Sequence, residues 1–273
     1  MTPDLVAHII KVVPIGFVAG LLSGAFGIGG GIVSVPLVKQ YVGVDAHVAV
    51  GCSLALILPT AIMGAYNYLK HGKLLVRLAT VCAIPAAICT SASSYASKFI
   101  PGSELMLALA ALMAFVGLDF ATGMSNKMRQ KTSALDEPAV ELPDFVMDNS
   151  KVWKASLIGI LVGLLSGLLG VGGGFIMVPA FCYFLGLPLK LAFGTSLIVV
   201  AIVAIPGTLV HSLEGHVQLW IVLPMLIGSL PGAWLGSYIS IKTRDSHLRS
   251  VFGVILLIMA IYFAYRELMF DHH

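Results

Sequence analysis

Long apolar stretches separated by short polar loops dominate the chain. Leu78–Ser97, Ala155–Phe181, Leu191–Leu213 and Val217–Ile241 contain no Asp, Glu, Lys or Arg. Each supplies the roughly 20 residues with which a helix crosses a hydrocarbon core about 30 Å thick. The apolar positions neither alternate nor fall on one helical stripe, which excludes a transmembrane β-barrel and predicts lipid-embedded helices. Spans are predicted at about 46–68, 76–97 and 105–121, and again at about 189–211, 217–239 and 248–265.

This pattern occurs twice. Gly16–Pro36 reads GFVAGLLSGAFGIGGGIVSVP and Gly159–Pro179 reads GILVGLLSGLLGVGGGFIMVP, an offset of 159 − 16 = 143. At the same offset Gly51 falls on Gly194, Ser53 on Ser196, Gly64 on Gly207 and Tyr95 on Tyr238. The expected organisation is a first repeat over residues 8–123, a polar linker over 124–150 and a second repeat over 151–266.

Loop charges orient the two units. Between its first and second spans the first repeat carries Lys70 and Lys73, where the second has only His211, Glu214 and His216. One loop later the bias reverses, with Lys98 alone against Lys242, Arg244 and Arg249. Lys and Arg collect in cytoplasmic loops, so the repeats are predicted to have inverted topology, a transporter signature. Inversion needs an odd number of crossings per unit. Three spans supply it, and the Gly-rich segment Val12–Val38 is then a hairpin broken at Gly27–Gly31. The fold class expected is all-α integral membrane: two inverted repeats, each a Gly-broken helical hairpin plus three transmembrane helices. The linker is placed in the cytoplasm and both termini outside.

Composition agrees with lipid as the solvent. Of 273 residues, 58% are hydrophobic and 11% charged, against about 25% charged in an ordinary soluble domain. The net charge of +3 is too small to suggest a nucleic-acid partner. Cys52, Cys82, Cys89 and Cys182 lie in apolar stretches, so no disulfide is expected. The N-terminus lacks a basic segment and a cleavage signal, so no removable leader is expected.

Candidate chemistry is sparse. The ridges Gly16, Gly20, Gly24 and Gly159, Gly163, Gly167 suit close helix packing. The tips, with Gly29, Gly30, Gly31 and Gly172, Gly173, Gly174, break a helix at membrane depth, which survives only inside protein or beside a watery cavity. Neither tip fits a dinucleotide fingerprint. Bare amides and a helix N-terminus suit an anion, with closure of the fold as the alternative role. Ser53, Thr195 and Ser196 offer donors near a helix start, or serve as caps and back-bonding hydroxyls. Asn67 and His211 are candidates for the cavity wall, Asp119 less so, and Arg77 is expected to snorkel. No metal site and no cofactor are expected.

The motifs GLLSGAFGIGGGIVSVP with AVGCSLALI, and GLLSGLLGVGGGFIMVP with AFGTSLIVV, resemble the TauE/SafE sulfite exporter family over nearly the whole chain except the linker. Where members often have G-T-S in both halves, the first repeat has Gly51-Cys52-Ser53. The resemblance implies a transporter of small sulfur-containing anions (sulfite, thiosulfate or an organosulfonate such as sulfoacetate) working by alternating access in a bacterial inner membrane. Its partners would be that anion and the bilayer, with homo-oligomerisation left open. The alternatives are an anion channel and an intramembrane hydrolase using Ser166 or Ser196 with His211. Against the hydrolase, the serines recur in both halves while the histidine does not, and a nucleophile needs a base within hydrogen-bond reach.

Overall fold

The computed structural model describes residues 3–122 and 148–270. The 124–150 linker expected from the sequence lies almost wholly outside these residues. Ten helices are described, and no strand occurs among the described residues. They are α1 (Pro3–Phe26), α2 (Gly31–Val42), α3 (Ala46–Lys70), α4 (Val76–Ser97) and α5 (Gly102–Thr122). After the linker follow α6 (Asn149–Leu169), α7 (Gly174–Phe184), α8 (Leu189–Leu213), α9 (Leu219–Lys242) and α10 (Asp245–Phe270). Among the described residues, seven of these contain a segment long and apolar enough to cross a membrane: α3–α6 and α8–α10. With α2 at 12 residues and α7 at 11, each reaches only about 16–18 Å at 1.5 Å per residue, half a bilayer core. Each half of the chain is therefore a Gly-broken hairpin followed by three long helices.

The hairpins turn where glycine alone is comfortable. Gly27, Gly29 and Gly30 have φ of 68°, 77° and 81°, and Gly170, Gly172 and Gly173 have φ of 67°, 70° and 67°. A side chain in this left-handed region is strained, and here there is also no room for one. A Cβ on Gly30 would stand 3.0 Å from the Ala19 carbonyl, and one on Gly173 would stand 2.3 Å from Val162 Cγ1.

Helix partners are exchanged between the halves. In the first, α1 packs against α9; in the second, α6 packs against α4; α3 lies beside α8, and α5 beside α10. In lipid no hydrophobic drive favours helix association, so close backbone approach must supply it. The glycine ridges do this. Cβ atoms on Gly16, Gly20 and Gly24 would fall 2.2, 2.1 and 2.1 Å from the carbonyl oxygens of Met225, Ser229 and Ala233. From the other face, Gly228, Gly232 and Gly236 meet α1 carbonyls as closely, at 2.1, 2.4 and 2.0 Å. Gly159 and Gly163 press on Cys82 and Ala86 of α4 at 2.2 and 2.3 Å.

The contacts of α3 with α8 fix their relative direction. Gly194, near the start of α8, lies against the carbonyl of Lys73, just past the end of α3. Conversely Gly51, near the start of α3, lies against the His216 carbonyl, just past the end of α8. The two helices are antiparallel neighbours, so the Lys70–Lys73 and Glu214–His216 loops sit at opposite ends of the bundle.

Candidate functional site

The two glycine tips meet inside the bundle. A Cβ on Gly31 would overlap Val171 Cα at 2.5 Å, and one on Gly174 would overlap the Gly27 carbonyl oxygen at 2.5 Å. Ile28 and Val171 at the tips are buried, with 2% and 0% exposure. The N-termini of α2 and α7 thus face one another, each the positive end of a helix dipole equivalent to about half a charge. Among the described residues, none of the amides of residues 28–32 or 171–175 donates to a backbone carbonyl. Two Gly-rich tips therefore gather unladdered N–H groups at one buried place, and no Lys or Arg is buried among the described residues. Gly29 and Gly172 both lie against Ile57 and Val200, which occupy equivalent positions in the two repeats, since 57 + 143 = 200.

The hydroxyls proposed from the sequence lie near the tips but are engaged with protein. Ser196 Oγ stands 2.8 Å from the Gly27 carbonyl and 2.8 Å from that of Phe193, so its one proton serves the tip or its own helix. Ser53 Oγ bonds Ser34 Oγ on α2, and Ser34 Oγ also reaches the Gly30 carbonyl at 3.1 Å. Thr195 Oγ1 accepts from the Leu75 amide at 3.1 Å, where α4 begins. Cys52 does the same in the other half: its sulfur accepts from the Gln218 amide at 3.3 Å, where α9 begins. Cysteine therefore preserves the contact that threonine makes at the equivalent position.

Asn67 and His211 are not brought to the tips. Each lies about 15 Å along its helix from Ile57 or Val200, and they sit at opposite ends of the bundle. Asn67 Nδ2 donates to the Trp234 carbonyl at 3.1 Å and to Ser237 Oγ at 2.7 Å, clamping α9 to α3. His211 faces His216, with the two Nδ1 atoms 3.3 Å apart. Asp119 accepts from the Tyr183 hydroxyl, joining α5 to α7, and Arg77 is exposed.

Two serines stand beside the tips, one of which, Ser23, the sequence reading passed over, while the other, Ser166, it weighed only as a hydrolase nucleophile. Ser23 and Ser166, equivalent at the 143-residue offset, are fully buried, and their hydroxyls have no hydrogen-bond partner. Their Cβ atoms lie 3.4 and 3.5 Å from the Cβ positions of Gly30 and Gly173. The signal was available: each is the serine of the repeated G-L-L-S-G motif. An apolar groove between α5 and α6, lined by Leu105, Leu112, Phe115 and Leu168 with Glu104 as its one charged group, has nothing to hold an anion.

Paired half-length helices, broken at glycine and meeting tip to tip within a bundle of apolar spans, are the architecture of a multi-pass membrane transporter. The chain belongs to the sulfite exporter TauE/SafE family, which it matches over residues 12–263. It is 30% identical over 256 residues to a probable membrane transporter protein of Xylella fastidiosa, covering 93% of this chain and 92% of the relative. It is 26% identical over 266 residues to the probable membrane transporter protein YunE of Bacillus subtilis, covering 90% and 94%. A probable membrane transporter protein of Methanocaldococcus jannaschii is 26% identical over 262 residues, covering 91% and 92%. No solved structure matches the chain.

Proposed function

We propose that this transporter carries small sulfur-containing oxyanions, such as sulfite, thiosulfate or an organosulfonate, across the bacterial inner membrane by alternating access. The observation that carries this reading is the meeting of two glycine tips, each with unladdered amides at a helix N-terminus. Converging N–H donors suit a tetrahedral or pyramidal oxyanion, and dipole ends balance its charge without a buried Lys or Arg. The binding set in this reading is Gly29–Gly31 and Gly172–Gly174, with Ser23 and Ser166 supplying hydroxyls. Ser53, Thr195 and Ser196 hold the tips and helix starts in place.

We further infer that the two repeats are inverted. The exchanged helix partners and the antiparallel α3 and α8 support this, as does the lysine-rich loop of one repeat lying at the opposite end from its equivalent. Such pairs rock about a central site. An anion reaches the tip amides when Ile57 or Val200 swings aside, and the two residues close opposite sides in turn.

The test is a binding screen on purified protein in detergent. Sulfite, thiosulfate, sulfoacetate and sulfate would each be set against acetate and chloride by thermal shift, followed by flux into proteoliposomes. A sulfur oxyanion should raise Tm and be transported, with counterflow marking a carrier rather than a channel. Equal response to carboxylates, or no response to any sulfur anion, would sink the substrate class.

A further inference from the structure

At the bundle end away from Lys70 and Lys73, three histidines and two acids converge, and only some of them have partners. His47, in the first turn of α3, is committed: Nδ1 lies 3.0 Å from Asp45 Oδ2 and Nε2 lies 3.3 Å from the Ser97 carbonyl. His211, Glu214 and His216 are not so settled. His211 is fully buried, and its Nε2 has no hydrogen-bond partner. Both carboxylate oxygens of Glu214 are buried and make no hydrogen bond, and the nearby His216, with Nδ1 3.4 Å from Oε2, pairs with them only when protonated. Buried polar atoms are nearly always satisfied, and a carboxylate shut off from water calls for a cation.

The three side chains point at one place. His216 Nδ1 lies 3.3 Å from His211 Nδ1 and 3.4 Å from Glu214 Oε2, and one ligand atom from each residue lies within 4.8 Å of the others. Ligand atoms ~2.1 Å from a tetrahedral zinc ion lie ~3.4 Å apart. The backbone imposes this arrangement. Gly215 turns the loop at φ 77°, and the His216 amide donates to the His211 carbonyl at 2.9 Å. The other half of the molecule shows what an ordinary buried group does here. Tyr68, equivalent to His211 because 68 + 143 = 211, has its hydroxyl 2.8 Å from Ser240 Oγ and 3.1 Å from the Gly24 carbonyl.

We propose that His211, Glu214 and His216 form a binding site for a late first-row divalent cation, Zn²⁺ or a close relative. Two imidazoles and one carboxylate suit such an ion, whereas Ca²⁺ and Mg²⁺ want a shell of oxygens. The His216 carbonyl packs on Gly51, and the Gln218 amide bonds Cys52. A cation here therefore clamps the α8–α9 loop where it seats on α3. The proposal runs against the sequence expectation of no metal, and the site stands apart from the glycine tips and from the substrate reading.

The probe is Zn²⁺ itself, titrated calorimetrically into full-length protein stripped with EDTA and purified without a histidine tag, with Ca²⁺ as control. Wild type should bind one zinc and gain Tm, and Co²⁺ should give tetrahedral visible absorption. Glu214→Gln and His211→Gln, close in size to the native residues, and His216→Ala should each weaken binding roughly tenfold or more, while His272→Ala with His273→Ala at the chain end should leave this site intact. The proposal is overturned if wild type binds no zinc, as expected of a histidine–glutamate pair that merely shares a proton. It is equally overturned if Glu214→Gln and His216→Ala bind as wild type does, or if only the chain-end variant loses binding.

Discussion

Ser23 and Ser166 owe their interest to having nothing to do within the fold. A hydrogen bond to a charged group contributes about 1.5–3 kcal/mol, and 1.4 kcal/mol is about tenfold in affinity. Ser23→Ala combined with Ser166→Ala should therefore weaken anion binding roughly tenfold or more while leaving Tm nearly unchanged, measured on one purified sample. Thr195 should behave in the opposite way. Thr195→Val strands the Leu75 amide, an expected loss of about 1–3 kcal/mol in stability, whereas Thr195→Cys should be tolerated because Cys52 already makes this bond. Asp45 shows a third kind of role, capping α3. Partial burial pushes its carboxyl up, but bonds from the His47 amide and ring outweigh that and hold it below its ordinary value of 3.8. A lowered carboxyl stabilises the fold above that value and ceases to as pH falls through its own. The Tm gap between wild type and Asp45→Ala should thus close as the medium is acidified below about pH 3.8.

At the scale of elements, glycine does two different jobs. On α1 and α9 it lets backbones touch: Gly20→Val would drive a side chain into the Ser229 carbonyl, 2.1 Å from the new Cβ. The α1–α9 pair should separate, seen as loss of the monodisperse peak on size-exclusion chromatography. Gly43, at the end of α2 with φ 74°, has nothing within 4 Å of its Cβ position. Gly43→Ala should cost about 1 kcal/mol of backbone strain and leave the protein monodisperse. The ridge was legible in the sequence because its four-residue spacing is a helical period. Its partner was not, since spacing within α1 says nothing about which of the other described helices will supply the facing carbonyls.

For the molecule as a whole, the decisive quantity is which end of the bundle each loop occupies. Cysteines placed at Lys70 and at Leu213, both exposed, should be labelled by an impermeant thiol reagent from opposite sides of the membrane, Lys70 from the cytoplasm. Labelling from one side would overturn the inverted arrangement. The same opposition explains the contrast between the bundle ends. Near one, Lys190 lies 3.6 Å from Asp245 and donates to the Ile241 carbonyl, while the other gathers His47, His211 and His216.

Length and lack of charge were enough to specify lipid-embedded helices, because an apolar run of some 20 residues has no comfortable alternative in water. The glycine runs were enough to specify where two helices break, because four glycines in five residues forfeit helical stability and admit left-handed turns. The repeat itself was legible as identity at a constant offset. Contacts between residues far apart in the chain were not. That Gly31 meets Val171, that Asn67 clamps α9, and that Ser196 is bound to the Gly27 carbonyl while Ser23 is left unbound all depend on how α3 and α8 lie against the hairpins. A hydroxyl near a helix start looks the same in sequence whether it faces a carbonyl or nothing. Only packing decides which donors remain to hold an anion, because a donor already bonded to protein has none to offer.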